Sequence, residues 1–339
     1  MDGGDGNRAY GHQTFTRSGS HFTDRITADG RDGRPVQEGR YRLVVSRACP
    51  WASRAVISRR LLGLEGGLST AVADPVQDDR SWPFTLDPGG RDPVLGIRFL
   101  SEAYDRREAG HPGGVSVPAV VDVPSGRLVT NDHQRLTLDP ATEWTALHRT
   151  GAPDLYPAGR RAEIDRVMAE VYEDVNNGVY RAGFATRRKE YEEACAGVFR
   201  RLELIAGRLA GRRYLVGDTL TEADIRLFTT LVRFDAVYHG HFKCNRWELT
   251  ENPVLWVYAR DLFQTPGSGD TVDFDHIKRH CYQVHTGINP TGIVPLGPDL
   301  SGWSAPHHRE ELGGRPFGDG TPPGPVPPGE RVAPEGRPA

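Results

Sequence analysis

Tyr41-Arg42-Leu43-Val44-Val45-Ser46-Arg47-Ala48-Cys49-Pro50-Trp51-Ala52 is the stretch from which the fold can be read. Its first six residues have the β-branched, aromatic and apolar character of a short buried strand. Pro50 then suits a first helical turn, where its missing N–H is not needed. Ala52, Val56, Ile57, Leu61 and Leu64 continue an apolar helical face that Gly63 weakens. Strand, turn and helix therefore put Cys49 at a helix start, where unpaired N–H groups and the positive helix end favour a thiolate. No second cysteine follows at Ala52 or Ser53, so a mixed disulfide on Cys49 would form with an external thiol rather than within the chain. Position alone leaves a buried structural cysteine as the alternative.

Working outward, Val115-Ser116-Val117-Pro118-Ala119-Val120-Val121 is a second strand-like run, and Gly126 leads into Leu128-Val129, which predicts a hairpin. After a Pro-rich break between Gly151 and Pro157 the pattern becomes helical. Ile164, Val167, Met168, Val171 and Val175 recur at helical spacing, as do Val198, Leu202, Ile205 and Leu209. Thr221-Glu222-Ala223-Asp224 has the spacing of a helix N-cap ahead of Ile225, Phe228, Leu231 and Val232. No repeat of about 20 to 50 residues interrupts this plan.

A chain of 339 residues is more than one compact core usually organises. The expected division is an N-terminal extension over 1–35, a first domain over 36–150, a helical domain over 151–312 and a disordered Pro/Gly-rich tail over 313–339. The 42 Lys plus Arg against 45 Asp plus Glu leave a net charge of -3, no field for gathering nucleic acid or anionic lipid. No apolar run approaches the roughly 18 residues of a membrane span, and the N-terminus lacks a secretory pattern, which predicts a cytoplasmic protein. The four cysteines, Cys49, Cys195, Cys244 and Cys281, are too scattered for a disulfide framework or a zinc cluster. His276, His280 and His285 fall on one stretch, but no carboxylate or cysteine pattern completes a metal site, so neither a metal nor a tightly bound cofactor is expected.

Five blocks make the chain familiar. Arg40-Tyr41 through Cys49-Pro50-Trp51-Ala52, Asn176-Asn177-Gly178-Val179-Tyr180-Arg181-Ala182-Gly183-Phe184-Ala185 and Leu220 to Phe228 are three of them. Tyr238-His239-Gly240-His241-Phe242-Lys243-Cys244-Asn245 and His276 to His280, continuing to Ile288–Pro295, are the others. Together they resemble the glutathionyl-hydroquinone reductases, the Xi class of the glutathione transferase superfamily. The resemblance implies an α/β plus all-α fold: a thioredoxin-like N-terminal domain with an all-helical glutathione-transferase C-terminal domain, assembled as a homodimer. It also implies a thiol co-substrate and an aromatic hydroquinone conjugate, with Cys49 as nucleophile and Tyr180 as proton donor to the leaving carbon. Tyr238 and Tyr282 match tyrosines that hydrogen-bond near the cysteine. Relatives carry two adjacent tyrosines after the His matched by His280, whereas this chain has Cys281 before Tyr282.

On the thiol side, Trp82 matches a tryptophan lining the thiol site, and Val117-Pro118 matches a segment that pairs with the thiol's peptide backbone beside a cis-proline. The next element in relatives, Asn-Glu-Ser, grips the γ-glutamyl end of glutathione. Here it reads Asn131-Asp132-His133. Asp132 is one methylene shorter than Glu, and an imidazole at His133 changes both reach and volume, so a polar ligand end left unpaired there would cost roughly 1 to 3 kcal/mol. Mycothiol, a thiol without a γ-glutamyl group, is therefore the alternative co-substrate to glutathione. A non-catalytic thiol-binding protein of the same fold is the alternative from another class.

Overall fold

The protein is described here from a computed structural model, over residues 19–111 and 113–332. The decisive stretch forms β1 (Tyr41–Val45), buried along its whole length, followed by α1 (Pro50–Leu62) with Cys49 as its N-cap residue and Pro50 in the first turn. Gly63 ends the helix at φ 72°, a left-handed conformation that glycine adopts without a Cβ penalty. Next come β2 (Leu68–Val72), α2 (Ser101–Arg107), β3 (Ala119–Asp122), β4 (Arg127–Thr130) and α3 (Arg135–Thr142). The strands form one sheet in the order β2-β1-β3-β4, with β1 parallel to β2 and β3 antiparallel to both of its neighbours, β1 and β4. Val44 pairs with Ala119, so the strand that ends toward Cys49 lies beside the one that begins after the cis Val117–Pro118 peptide. This is the mixed sheet with flanking helices expected for the first domain.

The second half is helical throughout its described elements: α4 (Arg161–Val171), α5 (Gly178–Gly183), α6 (Arg188–Leu209), α7 (Glu222–Leu231), α8 (Pro253–Gln264) and α9 (Phe274–Val284). The apolar positions expected on α4 and α6 are all buried. Thr221 and Asp224 form the capping box that opens α7, and Asp224 also accepts from Leu215 N–H and Tyr258 O–H, each at 2.8 Å. Two π-helical turns, Tyr172–Asn176 and Phe234–Tyr238, interrupt the regular helices. None of the described helices is long and apolar enough to cross a membrane.

Helix α1 is buried on nearly every side, not along one stripe, because it lies between the sheet and the helical domain. Its polar groups are paired across that junction: Ser58 Oγ donates to Glu222 at 2.7 Å and Arg54 to Asn176 Oδ1 at 2.6 Å.

Both chain ends differ from their compositional expectation where they are described. Residues 1–18 and 333–339, parts of the expected extension and tail, lie outside the described residues. Phe22 O accepts from Asn131 N–H at 3.0 Å, Phe22 N–H donates to Asn131 Oδ1 at 3.1 Å, and Thr23 bridges to Thr130, so the N-terminal segment covers the edge of β4. The stretch from Gly313 to Val332 lies along the body instead of standing off as a disordered tail. It has no core of its own, but arginines of the body satisfy its carbonyls: Arg213 donates to Gly314 O, Arg149 to Thr321 O and Arg60 to Gly324 O. Glu330 closes it with a two-point ion pair to the fully buried Arg59, at 2.6 and 2.7 Å.

Candidate active site

A cavity of about 320 Å³ opens between the two halves, with Cys49 in its wall. The cysteine is half-buried, its Sγ lies 3.4 Å from Val117 O, and its carbonyl accepts from Ser53 N–H at 3.0 Å. Cys49 is the N-cap residue of α1, at the positive end of that helix, a position that favours a thiolate. The sheet side of the cavity comes from Trp82, Ser116, Val117, Asn131 and His133, and the helical side from Tyr180, Tyr238, His280 and Cys281.

Local sequence explains how the tyrosines are presented. Asn176 is pinned by the bond from Arg54 and by its own Nδ2 donating to Arg226 O at 3.0 Å and Thr230 Oγ1 at 2.7 Å. A Cβ on Gly178 would stand 2.7 Å from Val198 Cγ2, and one on Gly183 2.3 Å from Phe242, so both glycines permit close packing around α5. Tyr180 projects from this helix with its ring 5.9 Å from Tyr238 and 5.2 Å from Phe242. Tyr238 is wholly buried, and burial pushes its hydroxyl well above the ordinary range, so it remains a proton-bearing donor. Its hydroxyl makes no hydrogen bond of ordinary geometry among the described residues, although that of Tyr180 is near enough to ease its ionisation.

Three expected residues stand elsewhere. Tyr282 does not line the cavity; it packs on His241, ring centroids 4.6 Å apart, while burial raises its hydroxyl to about 12. One step along α9 is a turn of about 100°, so the neighbouring Cys281 faces the cavity instead, its thiol pushed up by burial to about 12. Asp132 is not in the cavity wall either: its Oδ1 accepts from Gln134 N–H at 3.1 Å and Arg135 N–H at 3.4 Å, closing the turn into α3. Pro118 lies behind Val117 rather than in the wall. His133 is in the wall, its ring 5.0 Å from Trp51. Trp82 is held by its Nε1 donating to Val115 O at 3.3 Å.

Two further residues shape the site. Arg233, fully buried, donates to the carbonyls of Arg47 and Ala48, each at 3.0 Å, and to Ser53 Oγ at 2.6 Å. It clamps the turn on both sides of Cys49, and its charge favours ionisation of Tyr238 and Cys281. An arginine set between the apolar Leu231-Val232 and Phe234 is the signal that could have found it. His280 stacks on Trp82 at 5.3 Å and 16°, joining the two halves across the cavity. Its Nδ1 lies 2.6 Å from Pro75 O, and because a carbonyl can only accept, that nitrogen carries the proton. Burial lowers His280 to about 4, which leaves it neutral with Nε2 as an acceptor. His276, His280 and His285 do not converge on a common ligand position among the described residues.

Residues 188–261 match the family model of the glutathione S-transferase C-terminal domain. The chain is 41% identical to the glutathionyl-hydroquinone reductase YqjG of Escherichia coli (strain K12) over 306 residues, 87% of this chain and 92% of that protein. The glutathione-bound structure of YqjG superposes with a TM-score of 0.80 at 40% identity, covering 85% of this chain and 96% of the other. A crystal structure of a glutathione transferase from Gordonia bronchialis matches with a TM-score of 0.93 at 62% identity, over 94% and 99%. A Xi-class glutathione transferase from Natrialba magadii matches at 0.80 and 43%, over 86% and 89%.

Proposed function

The chain belongs to the Xi class of the glutathione transferase superfamily, the family of the glutathionyl-hydroquinone reductases, and from that membership we propose that it is a thiol-dependent reductase that removes glutathione from glutathionyl-hydroquinones. Cys49 thiolate attacks the conjugate's sulfur; the carbon–sulfur bond breaks and its electron pair goes to the aromatic carbon, which takes a proton from Tyr180. Free hydroquinone leaves, and Cys49 is left as a mixed disulfide with the thiol. A second thiol attacks that disulfide, departs as the symmetric disulfide and restores Cys49. Tyr238 supplies a buried hydroxyl toward the sulfur, and Arg233 holds the turn that carries it. The observation supporting this sequence is the convergence of Cys49, Tyr180 and Tyr238 on one cavity between the domains. The enzyme would act as a cytoplasmic homodimer.

A second reading, with mycothiol as the thiol, is supported by the same cavity. The Asp132 carboxylate is occupied in the turn into α3 and His133 fills the adjacent wall, so a γ-glutamyl ammonium has less to meet there. The test of the common chemistry is turnover of a conjugated hydroquinone by wild type and Cys49→Ser, with intact-mass detection of the mixed disulfide. Hydroquinone release by wild type and none by Cys49→Ser is expected. Release by Cys49→Ser at the wild-type rate would reject the nucleophile, and comparison of glutathione with mycothiol as second thiol decides between the two readings.

A further inference from the structure

One cluster at the cavity's exposed rim takes no part in the chemistry above. The N-terminal segment brings His21 there, and the loop after α2 brings His111; both line the cavity. Glu108 caps the C-terminal end of α2 beside them. A ring nitrogen of each histidine and a carboxylate oxygen of Glu108 all lie within 4.8 Å of one another. His21 Nε2 is 3.3 Å from Glu108 Oε2, and the two imidazole rings are 4.7 Å apart, tilted by 57°.

His111 is the telling member. Both of its ring nitrogens are buried, and neither has a hydrogen-bond partner among the described residues. A neutral imidazole offers one donor and one acceptor, and burial removes the water that would satisfy them. A cation at the centre of the cluster would satisfy the acceptor nitrogen. Arg107, the nearest competing positive charge along the chain, is turned to Asp24 at 3.1 Å and lies over the Phe22 ring.

We propose that His21, Glu108 and His111 form a binding site for a zinc-class divalent cation at the rim of the active-site cavity. Two imidazoles and a carboxylate are a donor set of that class, with a fourth position left for water or another ligand. Bonds of about 2.0 to 2.1 Å in a tetrahedron separate ligand atoms by about 3.3 Å. The His21–Glu108 pair already has that spacing, and both side chains are about half exposed, at 51% and 47%, so they are free to close on His111. A bound ion would clip the N-terminal segment to α2 and stand over the entrance of the cavity. Asp273, Asp275 and His276 are also mutually close, but Asp273 caps α9 and has Arg47 at 3.8 Å, so a cation already faces that group.

The test is a zinc titration of the metal-stripped full chain by calorimetry and equilibrium dialysis, with wild type, Cys49→Ser, His111→Ala, His21→Ala and His276→Ala. One zinc per chain is expected in wild type, Cys49→Ser and His276→Ala, and at least tenfold weaker binding in His111→Ala and His21→Ala. Circular dichroism checks that His111→Ala is folded; His21 is half exposed, so His21→Ala provides the same comparison without disturbing a buried side chain. Equal binding by wild type and both rim variants would overturn the proposal. Binding that disappears in Cys49→Ser or in His276→Ala would overturn it too, by placing the ion elsewhere.

Discussion

Replacing Tyr180 by Phe isolates the proposed proton transfer, because the structure lets the ring stay while the hydroxyl goes. The ring is buried against Phe184, Tyr238 and Phe242, at centroid distances of 6.3, 5.9 and 5.2 Å, and Phe can keep all three contacts. Stability should therefore change by no more than about 1 kcal/mol, the usual net worth of a single hydrogen bond. The chemical step should change far more. Loss of a positioned general acid costs about 10²- to 10⁴-fold, which is about 2.7 to 5.4 kcal/mol on the barrier. A single-turnover experiment reads this directly: excess enzyme is mixed with conjugate, and free hydroquinone and mixed disulfide on Cys49 are quantified in quenched samples. Both should form slowly together, since the attack on sulfur and departure of the carbon belong to one step, while the melting temperature stays near that of wild type. An unchanged single-turnover rate in a folded Tyr180→Phe protein would refute the assignment and leave Tyr180 as packing.

The thiol pocket predicts a coupled result: Asp132→Glu with His133→Ser should raise turnover with glutathione as second thiol more than either change alone, and identical glutathione kinetics in the double variant would remove these residues from thiol choice. Acidification should destabilise the fold between pH 6.5 and about 4, because burial lowers His241 and His280 to about 4 and the unfolded chain binds more protons across that window; a melting temperature flat from pH 7 to 4.5 would contradict it. Glu330→Gln should cost about 2 kcal/mol, below the range for a wholly buried pair because Glu330 is partly exposed, and a thermal melt indistinguishable from wild type would mean that the C-terminal segment does not hold Arg59.

What the sequence makes legible here are the features fixed within a few residues. The β1–α1 unit, the β3–β4 hairpin and the apolar faces of α4 and α6 each follow from local periodicity, and the Thr221–Asp224 box from the spacing of a cap. Cys49 was legible for the same reason, since its position at a helix start depends only on its neighbours. Arg233 acts through carbonyls some 180 residues away, and His280 through a stack on Trp82, so neither role has a local signature. Cys281 and Tyr282 are adjacent in the chain, and only the rotation of α9 against the sheet domain decides which of them meets the cavity. Asp132 followed by Gln134 and Arg135 could have been read as a turn-closing carboxylate, but the family resemblance drew it to the thiol. At the ends, the Pro/Gly-rich composition of the last segment cannot reveal that arginines on the body already face its carbonyls.

The two π-helical turns have a consequence for how this site can vary. In each, the backbone makes bonds that span five residues: Asn177 N–H reaches Tyr172 O at 2.9 Å, and in the second turn Tyr238 N–H reaches Arg233 O at 3.3 Å and His239 N–H reaches Phe234 O at 2.8 Å. Such a turn holds one residue more than an α-helical turn, so everything after it is rotated by about 100° from where an unbroken helix would aim it. Tyr180 follows the first turn and Tyr238 closes the second, so the bearing of both hydroxyls depends on a count of residues as well as on the neighbours that pack around them. Substitution can change which group stands at these two positions. Turning it toward another wall of the cleft would take the gain or loss of a residue in the turn, a change that single-base mutation does not supply.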